Sequence, residues 1–410
     1  MILEFSITNF LSFKNRTTMS MVANATNGLD HNYVVKNNKR ILKTAAVYGA
    51  NASGKTNLFK ALVLIILMLR DSNHMDINAK LPIVPFKLDK NQNPSEFEIK
   101  FIVHDIRYVY GFKADETQIY EEYLYYYPKG KETKIFDRVH NHYSYDRKDA
   151  KILEKIIEMT ANNKFFLATA TNWNYEKTKD AYHFLTNDIG ICFDFDDLKN
   201  IAFSVYEEND EELKKFALDF LEKADFNIED YQVSKIDIPQ DLLNNIPDFV
   251  KQELLKNPKA YQVLFKHKGS SQYLNLDEES LGTQMVFAFI PFIADTLLHQ
   301  KVLIIDELDK SLHPFLVQYI IELFNNDNNS SGSQLIFNTH DTNILDLNIF
   351  RRDQIWFTEK DNITGESILY ALSDFSVRNK ENIEKGYMLG RYGAVPFIKN
   401  DWNLWDNEEE

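Results

Sequence analysis

One short motif constrains this chain more than any other feature: two glycines separated by four residues and followed at once by a lysine and a threonine. The segment Gly49-Ala50-Asn51-Ala52-Ser53-Gly54-Lys55-Thr56 matches the phosphate-binding pattern G-x-x-x-x-G-K-[S/T]. It follows a small apolar run, Thr44–Tyr48, and leads into an apolar stretch from Lys55 to Arg70, so a strand–loop–helix unit is predicted. Glycine lets the backbone approach phosphate oxygens closely, and the start of the helix adds positive potential.

The chemistry of this loop follows from its last residues. We expect Lys55 to reach the β- and γ-phosphates of a nucleotide and Thr56 to ligate Mg²⁺. The alternative is a plain turn between a strand and a helix. The predicted nucleotide-binding set is Gly49, Ala50, Asn51, Ala52, Ser53, Gly54, Lys55, Thr56 and Asn57.

Composition narrows the class of protein around this motif. The 410 residues are 44% hydrophobic and 26% charged, which is typical of a globular protein, and they include only 13 glycines. A single cysteine, Cys192, excludes a disulfide within the chain and a cysteine-based zinc site, and it favours a cytoplasmic location. The net charge of −15 argues against indiscriminate coating of nucleic acid. The most apolar run, Ala61–Leu69, is too short to cross a bilayer, so no membrane association is expected.

A second motif places two carboxylates at the end of an apolar strand. Val302–Ile305 is entirely apolar and is followed by Asp306 and Glu307. In parallel sheets the ligand site lies at the carboxyl ends of the strands. We therefore expect Asp306 to hold Mg²⁺ and Glu307 to orient and deprotonate the attacking water. The alternative is an acidic strand end that faces solvent.

Two further elements carry candidate residues. Ser280 and Gly282 begin a predicted helix over 281–298, where they could contact phosphate, or could simply cap a helix. His340 follows a predicted strand, Gln334–Phe337, and could sense the γ-phosphate, or could be an ordinary structural histidine.

The pattern along the chain predicts four regions. Residues 1–149 contain the loop and a β-rich stretch of antiparallel strands, and residues 150–260 have mainly helical periodicity. Residues 261–372, beginning with a strand at Tyr261–Lys266, alternate between helices and apolar strands, and 373–410 form a tail. The predicted fold class is therefore α/β, with a mainly parallel core sheet, an antiparallel β lobe and a helical insertion.

The order of these motifs resembles the head of ABC-type ATPases, and more specifically the SMC/RecF/OLD branch. Asn9–Lys14 resembles its N-F-x-S-F element, and Gly49–Asn57 its G-x-N-x-S-G-K-[S/T]-N loop. Asp306–Pro314 is similar to its acidic strand and following turn, and Arg351–Phe357 and Gly386–Pro396 resemble segments of small OLD-like AAA ATPases of prokaryotic phage-defence loci.

The resemblance implies a site shared between two chains. ATP and Mg²⁺ would be sandwiched in a head-to-head homodimer or higher homo-oligomer. One chain would supply Lys55, Thr56, Asp306, Glu307 and His340. The other chain would supply the signature residues Ser280 and Gly282, with the D-loop residue Asp309 near the interface. Leu281 departs from the family, which has a small residue there. Gln92 is a candidate for the Q-loop.

The resemblance also implies a biological setting. Nucleotide-driven dimerisation would control a separate effector, such as a TOPRIM-type nuclease, in antiviral defence. The alternatives are a RecF-like DNA-repair ATPase that binds DNA in an ATP-dependent way, and the ATPase subunit of a transporter.

Two segments keep alternative interpretations. The basic group Lys36, Lys39, Arg40 and Lys43 is either a nucleic-acid contact or a solvated loop. The segment Gly386–Pro396 is either a compact docking turn or a partner-binding or regulatory element, and Trp402 and Trp405 beyond it could form an interaction tail.

Overall fold

The structure, a computed structural model, describes residues 1–26, 28–89, 93–193, 195–236, 260–378 and 381–396. The strands are β1 (Ile2–Thr8), β2 (Thr17–Ser20), β3 (Tyr33–Lys36), β4 (Lys39–Leu42), β5 (Thr44–Gly49), β6 (Ser95–Val103), β7 (Ile106–Ala114), β8 (Ile119–Tyr127), β9 (Thr133–Val139), β10 (His142–Tyr145), β11 (Ile189–Cys192), β12 (Ile228–Ile236), β13 (Ala260–His267), β14 (Tyr273–Asn275), β15 (Val302–Ile305), β16 (Gln334–Asn338), β17 (Ile355–Lys360) and β18 (Ser367–Ala371). The helices are α1 (Lys55–Asp71), α2 (Ala150–Glu158), α3 (Phe166–Asn172), α4 (Glu176–Asn187), α5 (Phe195–Glu207), α6 (Glu211–Lys223), α7 (Leu281–Leu298), α8 (Pro314–Phe324) and α9 (Ile383–Met388).

The central sheet has six strands in the order β11-β15-β16-β5-β17-β18. All neighbouring pairs are parallel except β17 and β18. Strands β5, β15 and β16 are buried along their whole length, which explains why their sequences are continuous apolar runs rather than alternating ones. The predicted α/β fold with a mainly parallel core sheet is confirmed. The carboxyl ends of β5, β15 and β16 therefore meet at one edge, where the loop and the carboxylates lie.

The predicted antiparallel β lobe is a seven-stranded sheet in the order β10-β9-β8-β7-β6-β1-β2. Strand β6 has strict alternation of buried and half-buried residues over most of its length, as expected for a sheet with one face on the core. Aromatic side chains fill that face, and Phe101 on β6 stacks on Phe184 of α4 with ring centroids 4.8 Å apart. The inner face of the lobe packs against α1 and α4 in one shared hydrophobic core.

In its described residues, 150–193 and 195–236, the region predicted to be mainly helical contains α2 to α6 and, in addition, strands β11 and β12. Strand β11 is the edge strand of the central sheet and pairs in parallel with β15. Strand β12 pairs antiparallel with β13, and β13 with β14, in a separate three-stranded sheet. The strand predicted at Tyr261–Lys266 therefore exists but does not join the parallel sheet. Its alternation of half-buried and buried residues is typical of a sheet that covers α5 on one face only.

Helix α7 lies in the second hydrophobic core, between the small sheet and the central sheet. Within the described residues it is the one helix long and apolar enough to cross a membrane by length and composition, and 67% of it is buried inside the fold. A core helix satisfies the same criteria, and burial on most sides explains why its apolar residues form no single stripe.

The amino-terminal edge of the central sheet carries a buried polar network, on the side opposite the loop. Asn325 Oδ1 accepts hydrogen bonds from Thr44 Oγ1 (3.1 Å) and from Gln354 Nε2 (3.3 Å). Gln354 Nε2 also donates to Thr44 Oγ1 (2.6 Å). These contacts pair polar groups that burial would otherwise leave unsatisfied, so they are structural.

Candidate nucleotide-binding site

The predicted phosphate-binding loop joins β5 to α1 and is tightly packed at both glycines. Gly54 has a φ of 117°, a left-handed conformation that favours glycine, and a Cβ there would lie 2.5 Å from Ser367 Oγ. A Cβ at Gly49 would lie 2.5 Å from the backbone oxygen of Thr358. The two glycines therefore allow the loop to lie directly against β17 and β18. Asn51 and Ala52, between them, are exposed.

The side chain of Lys55 folds back onto the backbone of the preceding loop. Its Nζ donates to the backbone oxygen of Gly49 at 2.7 Å and to that of Ala50 at 3.1 Å. Burial lowers the pKa of Lys55 to about 8, against the opposing influence of Asp306, Glu307 and Asp309. The ammonium thus lies within electrostatic range of three carboxylates, while its hydrogen bonds are made to the backbone of the loop.

Side chains from three other segments form hydrogen bonds to the buried side of the loop and to the helix that follows it. Ser53 Oγ and Thr358 Oγ1 share a hydrogen bond of 2.6 Å, and Ser367 Oγ donates to the backbone oxygen of Ser53 at 2.7 Å. From the first helical turn, Asn57 Nδ2 donates to Ser12 Oγ at 2.9 Å. Ser12 belongs to the N-F-L-S-F element, so that element has a structural role beside the loop. Thr358 and Ser367 were not among the residues predicted from sequence.

The two carboxylates follow β15, next to the loop. Thr56 Oγ1 lies 3.4 Å from Asp306 Oδ1, and the side-chain amide of Asn338 donates to the same oxygen. Burial and the neighbouring charge of Glu307 raise the pKa of Asp306, against the hydrogen bonds from Asn338 and Thr56. Thr56 and Asp306 therefore face each other, and their role as ligands of a shared cation stays a prediction.

Glu307 has a φ of 56°, a left-handed conformation that is uncommon for a residue with a side chain. Its backbone N–H donates to Asn338 Oδ1 at 2.8 Å, and the next N–H, that of Leu308, donates to the backbone oxygen of Asn338 at 3.1 Å. Asn338 is fully buried at the end of β16, the strand next to β15. It fixes the turn that carries both carboxylates, and it was not predicted from sequence. The sequence feature that could have identified Asn338 is its position as a polar residue at the end of an apolar strand.

His340 lies two residues after Asn338, beside Asp309 and near Lys55. Its backbone N–H lies 3.2 Å from both carboxylate oxygens of Asp309. Burial and the nearby charge of Lys55 lower the pKa of His340. The structure thus brings Lys55, Thr56, Asp306, Glu307 and His340 together in one chain, with Asp309 beside them.

Ser280 and Gly282 lie apart from the loop, at the exposed start of α7. Ser280 is the N-cap of the helix and accepts a hydrogen bond from the backbone N–H of Thr283 at 3.1 Å. A Cβ at Gly282 would lie 3.2 Å from the backbone oxygen of Ser311, just after Asp309. Leu281 between them is 65% exposed. Within the described part of the chain, the signature is therefore next to the predicted D-loop and faces outward.

These residues fit a nucleotide with a divalent cation. The glycine cradle leaves no room for a Cβ, Lys55 supplies a buried ammonium, and Thr56 and Asp306 offer two oxygen ligands on one side of it. The described residues contain no cluster of three or more His, Cys, Asp or Glu that could hold a metal alone. Mg²⁺ typically takes one or two protein ligands and completes its shell with phosphate oxygens and water, so a two-residue site is consistent with it.

Two of the sequence predictions concern other regions. Gln92 lies outside the described residues, as do Trp402 and Trp405. Gly386–Pro396 forms a compact turn on the central sheet, where the Tyr392 ring stacks on Phe357 with centroids 6.0 Å apart. A Cβ at Gly386 would lie 2.8 Å from that Tyr392 ring, so this glycine is required by packing. The contacts favour the docking-turn interpretation.

Comparison with known proteins identifies the family. A family model described as "AAA domain, putative AbiEii toxin, Type IV TA system" matches residues 45–346. That range begins just before the glycine-rich loop and extends past His340. Comparison with curated proteins gave no match.

Among solved structures, the chain is similar to heads of SMC proteins. The SMC head bound to the C-terminal winged-helix domain of ScpA has a TM-score of 0.46 and 13% identity, and the alignment covers 90% of this chain and 97% of that one. The SMC head domain from Thermotoga maritima has a TM-score of 0.43 and 12% identity, with 90% and 98% covered. The SMC head with an extended coiled coil, bound to the C-terminal domain of ScpA from Pyrococcus furiosus, has a TM-score of 0.42 and 14% identity, with 96% and 99% covered.

The family match extends over most of the chain and contains the loop, the carboxylates, the signature and the histidine described above. The chain therefore belongs to this AAA domain family.

Proposed function

We propose that this protein binds ATP with Mg²⁺, hydrolyses its β–γ phosphoanhydride, and uses the cycle to control a partner effector. The observation that carries the proposal is the convergence of Lys55, Thr56, Asp306 and Glu307 at one edge of the central sheet. These residues come from two strand–loop units separated by more than two hundred residues of sequence. A purely structural role would not require an ammonium, a hydroxyl and two carboxylates in such proximity.

Each residue of this group has a distinct task. The loop N–H groups and Lys55 bind the phosphates, and Thr56 with Asp306 holds the cation. When bound, Mg²⁺ neutralises the charge that develops on the phosphate oxygens. Glu307 orients a water and accepts its proton, and His340, whose lowered pKa keeps the ring neutral near pH 7, can contact the terminal phosphate.

The exposed signature supports assembly of the site from two chains. Ser280, Leu281 and Gly282 begin α7 at the surface, beside the segment that contains Asp309 and Ser311. A second copy related by a two-fold axis would present its own Ser280 and Gly282 to the nucleotide of the first, and the converse contact would form at the same time. ATP binding would thus close a homodimer and hydrolysis would open it.

We further propose that helices α2 to α6 transmit this change to a separate effector in the cytoplasm. The family description includes a toxin of a type IV toxin–antitoxin system. A toxic activity requires control, which supports a role in antiviral defence with an effector such as a TOPRIM-type nuclease. The alternative is a RecF-like role in DNA repair, which requires ATP-dependent DNA binding by the closed dimer.

Phosphate release, co-purification, plaque formation and DNA binding together test this proposal. Phosphate release by the purified chain, with ATP and Mg²⁺, should be lost in Lys55→Met and kept in Lys148→Met, an exposed lysine outside the site. When the tagged chain is purified from cells that also express the neighbouring gene, an effector protein should co-purify with it. In cells challenged with phage, the number of plaques should rise when Lys55→Met replaces the native chain. Phosphate release that survives in Lys55→Met would overturn the ATPase, and ATP-dependent DNA binding without any effect on plaques would favour repair.

A further inference from the structure

A surface pocket lies at one end of the β lobe, away from the nucleotide-binding residues. It opens between the tip of the β3–β4 hairpin and the point where the start of β7 pairs with the end of β8. The residues that matter here are Asn37, Asn38 and Lys39 on the hairpin, and Arg107 and Tyr127 on the lobe. None of them belongs to the family-matched motifs described above.

Arg107 and Tyr127 form the floor of this pocket. They are directly opposite each other in the β7–β8 register, and the guanidinium carbon lies 3.5 Å from the centre of the Tyr127 ring. A guanidinium over an aromatic face is a favourable cation–π stack, and the two groups form a flat platform. Arg107 Nε is buried and has no hydrogen-bond partner among the described residues. Both side chains remain half-exposed, so the stacked pair presents part of its surface to the pocket.

The rim of the pocket is rigid because two tight turns are joined to each other. Asn37 and Asn38 have φ angles of 48° and 57°, and the β6–β7 turn residues His104 and Asp105 have 46° and 59°. Both pairs fit the left-handed two-residue turns of β-hairpins. Asn37 Nδ2 donates to the backbone oxygen of Asp105 at 2.7 Å, which connects the two turns. The side-chain amide of Asn38 remains available at the rim.

The four basic residues at 36–43 have different surroundings in the structure. Lys43 is buried and donates to the backbone oxygen of Asn326 at 2.7 Å, and Arg40 lies over the Tyr33 ring at 5.1 Å. Lys36 and Lys39 face each other across the end of the hairpin, and Lys39 lines the pocket. One acidic residue, Asp105, also lines it. Lys39 and Arg107 are therefore the two cations of the lining, and the Tyr127 hydroxyl donates to the neighbouring Glu132 carboxylate.

We propose that this pocket binds single-stranded nucleic acid, a function beyond the ATPase proposed above. The Arg107–Tyr127 platform can stack an unpaired base, and Lys39 with Lys36 can neutralise the neighbouring phosphates. The exposed Asn38 amide can donate hydrogen bonds to base or phosphate oxygens. A recessed, flat-floored pocket admits a splayed base more readily than a stacked duplex, which favours single strands.

The test uses the full chain and fluorescein-labelled oligonucleotides of about twenty nucleotides, as single-stranded DNA, single-stranded RNA and duplex DNA. We expect single strands to bind more tightly than the duplex, and the affinity to fall as salt rises. Lys39→Gln with Arg107→Gln should weaken binding at least tenfold. Arg147→Gln with Lys148→Gln, exposed residues that remove the same charge elsewhere, should change it less than about twofold.

Other variants separate this site from folding and from the ATPase. Lys36→Gln with Lys39→Gln alters only the hairpin surface and should weaken binding without lowering the melting temperature. Lys55→Met should bind oligonucleotides as the native chain does, because the pocket is independent of the phosphate-binding loop. Three results would overturn the proposal: no binding of any oligonucleotide at low salt, equal losses in the two matched double variants, or equally effective competition by polyglutamate, which would indicate a general anion site.

Discussion

The side chain of Asn338 joins the two catalytic candidates: its Oδ1 accepts a hydrogen bond from the backbone N–H of Glu307 at 2.8 Å, and its Nδ2 donates to the carboxylate of Asp306. Glu307 is held in a left-handed conformation by this contact. Such a conformation costs about 1–3 kcal/mol and persists only where the surrounding structure imposes it. Asn338 thus acts as a positioning residue for both carboxylates.

Replacing Asn338 by leucine should therefore reduce ATP turnover at least tenfold, with a smaller effect on ATP affinity. The physical reason is that the carboxylates lose their orientation while the phosphate-binding loop is unchanged. Asn325→Leu is the matched control, because Asn325 is also a buried amide but lies at the opposite edge of the sheet. Both variants should melt at lower temperature, and only Asn338→Leu should lose turnover. Equal losses of turnover in the two would show that stability alone is responsible.

The contact between Ser367 and the loop predicts a defect in binding rather than in chemistry. Ser367 Oγ donates to the backbone oxygen of Ser53, and its removal leaves a buried carbonyl unsatisfied next to Gly54. Ser367→Ala should raise the Kd for ATP several-fold while Ser333→Ala, another buried serine that donates to a carbonyl, should leave it unchanged. Isothermal calorimetry measures both. An unchanged Kd in Ser367→Ala would exclude a role for β18 in shaping the loop.

The lowered pKa of Lys55 predicts how ATP affinity depends on pH. The free protein has a Lys55 pKa of about 8, because burial disfavours the ammonium. Phosphate groups favour the charged form, so the pKa rises on binding and a proton is taken up above pH 8. Affinity should therefore fall about tenfold from pH 7 to pH 9.

Calorimetry in buffers of different ionisation enthalpy should record this proton uptake at pH 8.5 and little at pH 6.5. Lys55→Arg should flatten the dependence, because a guanidinium stays charged throughout this range. A native affinity that is constant from pH 7 to pH 9 would contradict the position assigned to Lys55.

A site shared between two chains predicts complementation between two inactive variants. Ser280→Asp keeps a residue that caps a helix well but places a negative charge where phosphate would lie. Lys55→Met removes the phosphate contact in the other half of the site. Each variant alone should have less than a tenth of native turnover. An equal mixture should recover about a quarter, since half of the dimers are mixed and each of these has one intact site. A mixture no more active than its components would contradict the shared site.

The sequence was sufficient to predict those parts of the fold that depend on local chemistry. The loop at 49–56, the apolar strand before Asp306 and Glu307, and the helix that begins at Lys55 all lie where their patterns indicated. The parallel central sheet also followed, because strands buried on both faces must be apolar throughout.

Other features depend on contacts between distant segments and could not be predicted in this way. Tyr261–Lys266 has the pattern of a strand, but only its pairing with β12 decides that it belongs to a separate antiparallel sheet. Strand β11 is short and lies between helices, so nothing local indicates that it extends the central sheet. Asn338, Thr358 and Ser367 have ordinary sequence surroundings, and their importance comes from what the fold places beside them.

The glycine-rich carboxyl-terminal segment shows a third situation. Its glycines could be recognised as unusual, yet their cause is the close approach of aromatic rings from elsewhere. Gly386 lies against the Tyr392 ring, and a Cβ at Gly393 would lie 2.6 Å from the Tyr370 hydroxyl. Packing against an unknown neighbour gives no signal in the residues themselves.

The central claim is that Glu307 activates water in an ATP-driven dimer, and one variant tests it most directly. Glu307→Gln keeps the size of the side chain and its left-handed backbone but removes the base. ATP turnover should fall at least tenfold while ATP stays bound, and light scattering with ATP and Mg²⁺ should record a persistent dimer. Glu322→Gln, at an exposed position on α8, should behave as the native chain does. Native turnover in Glu307→Gln, or a monomer that retains ATP, would contradict the account.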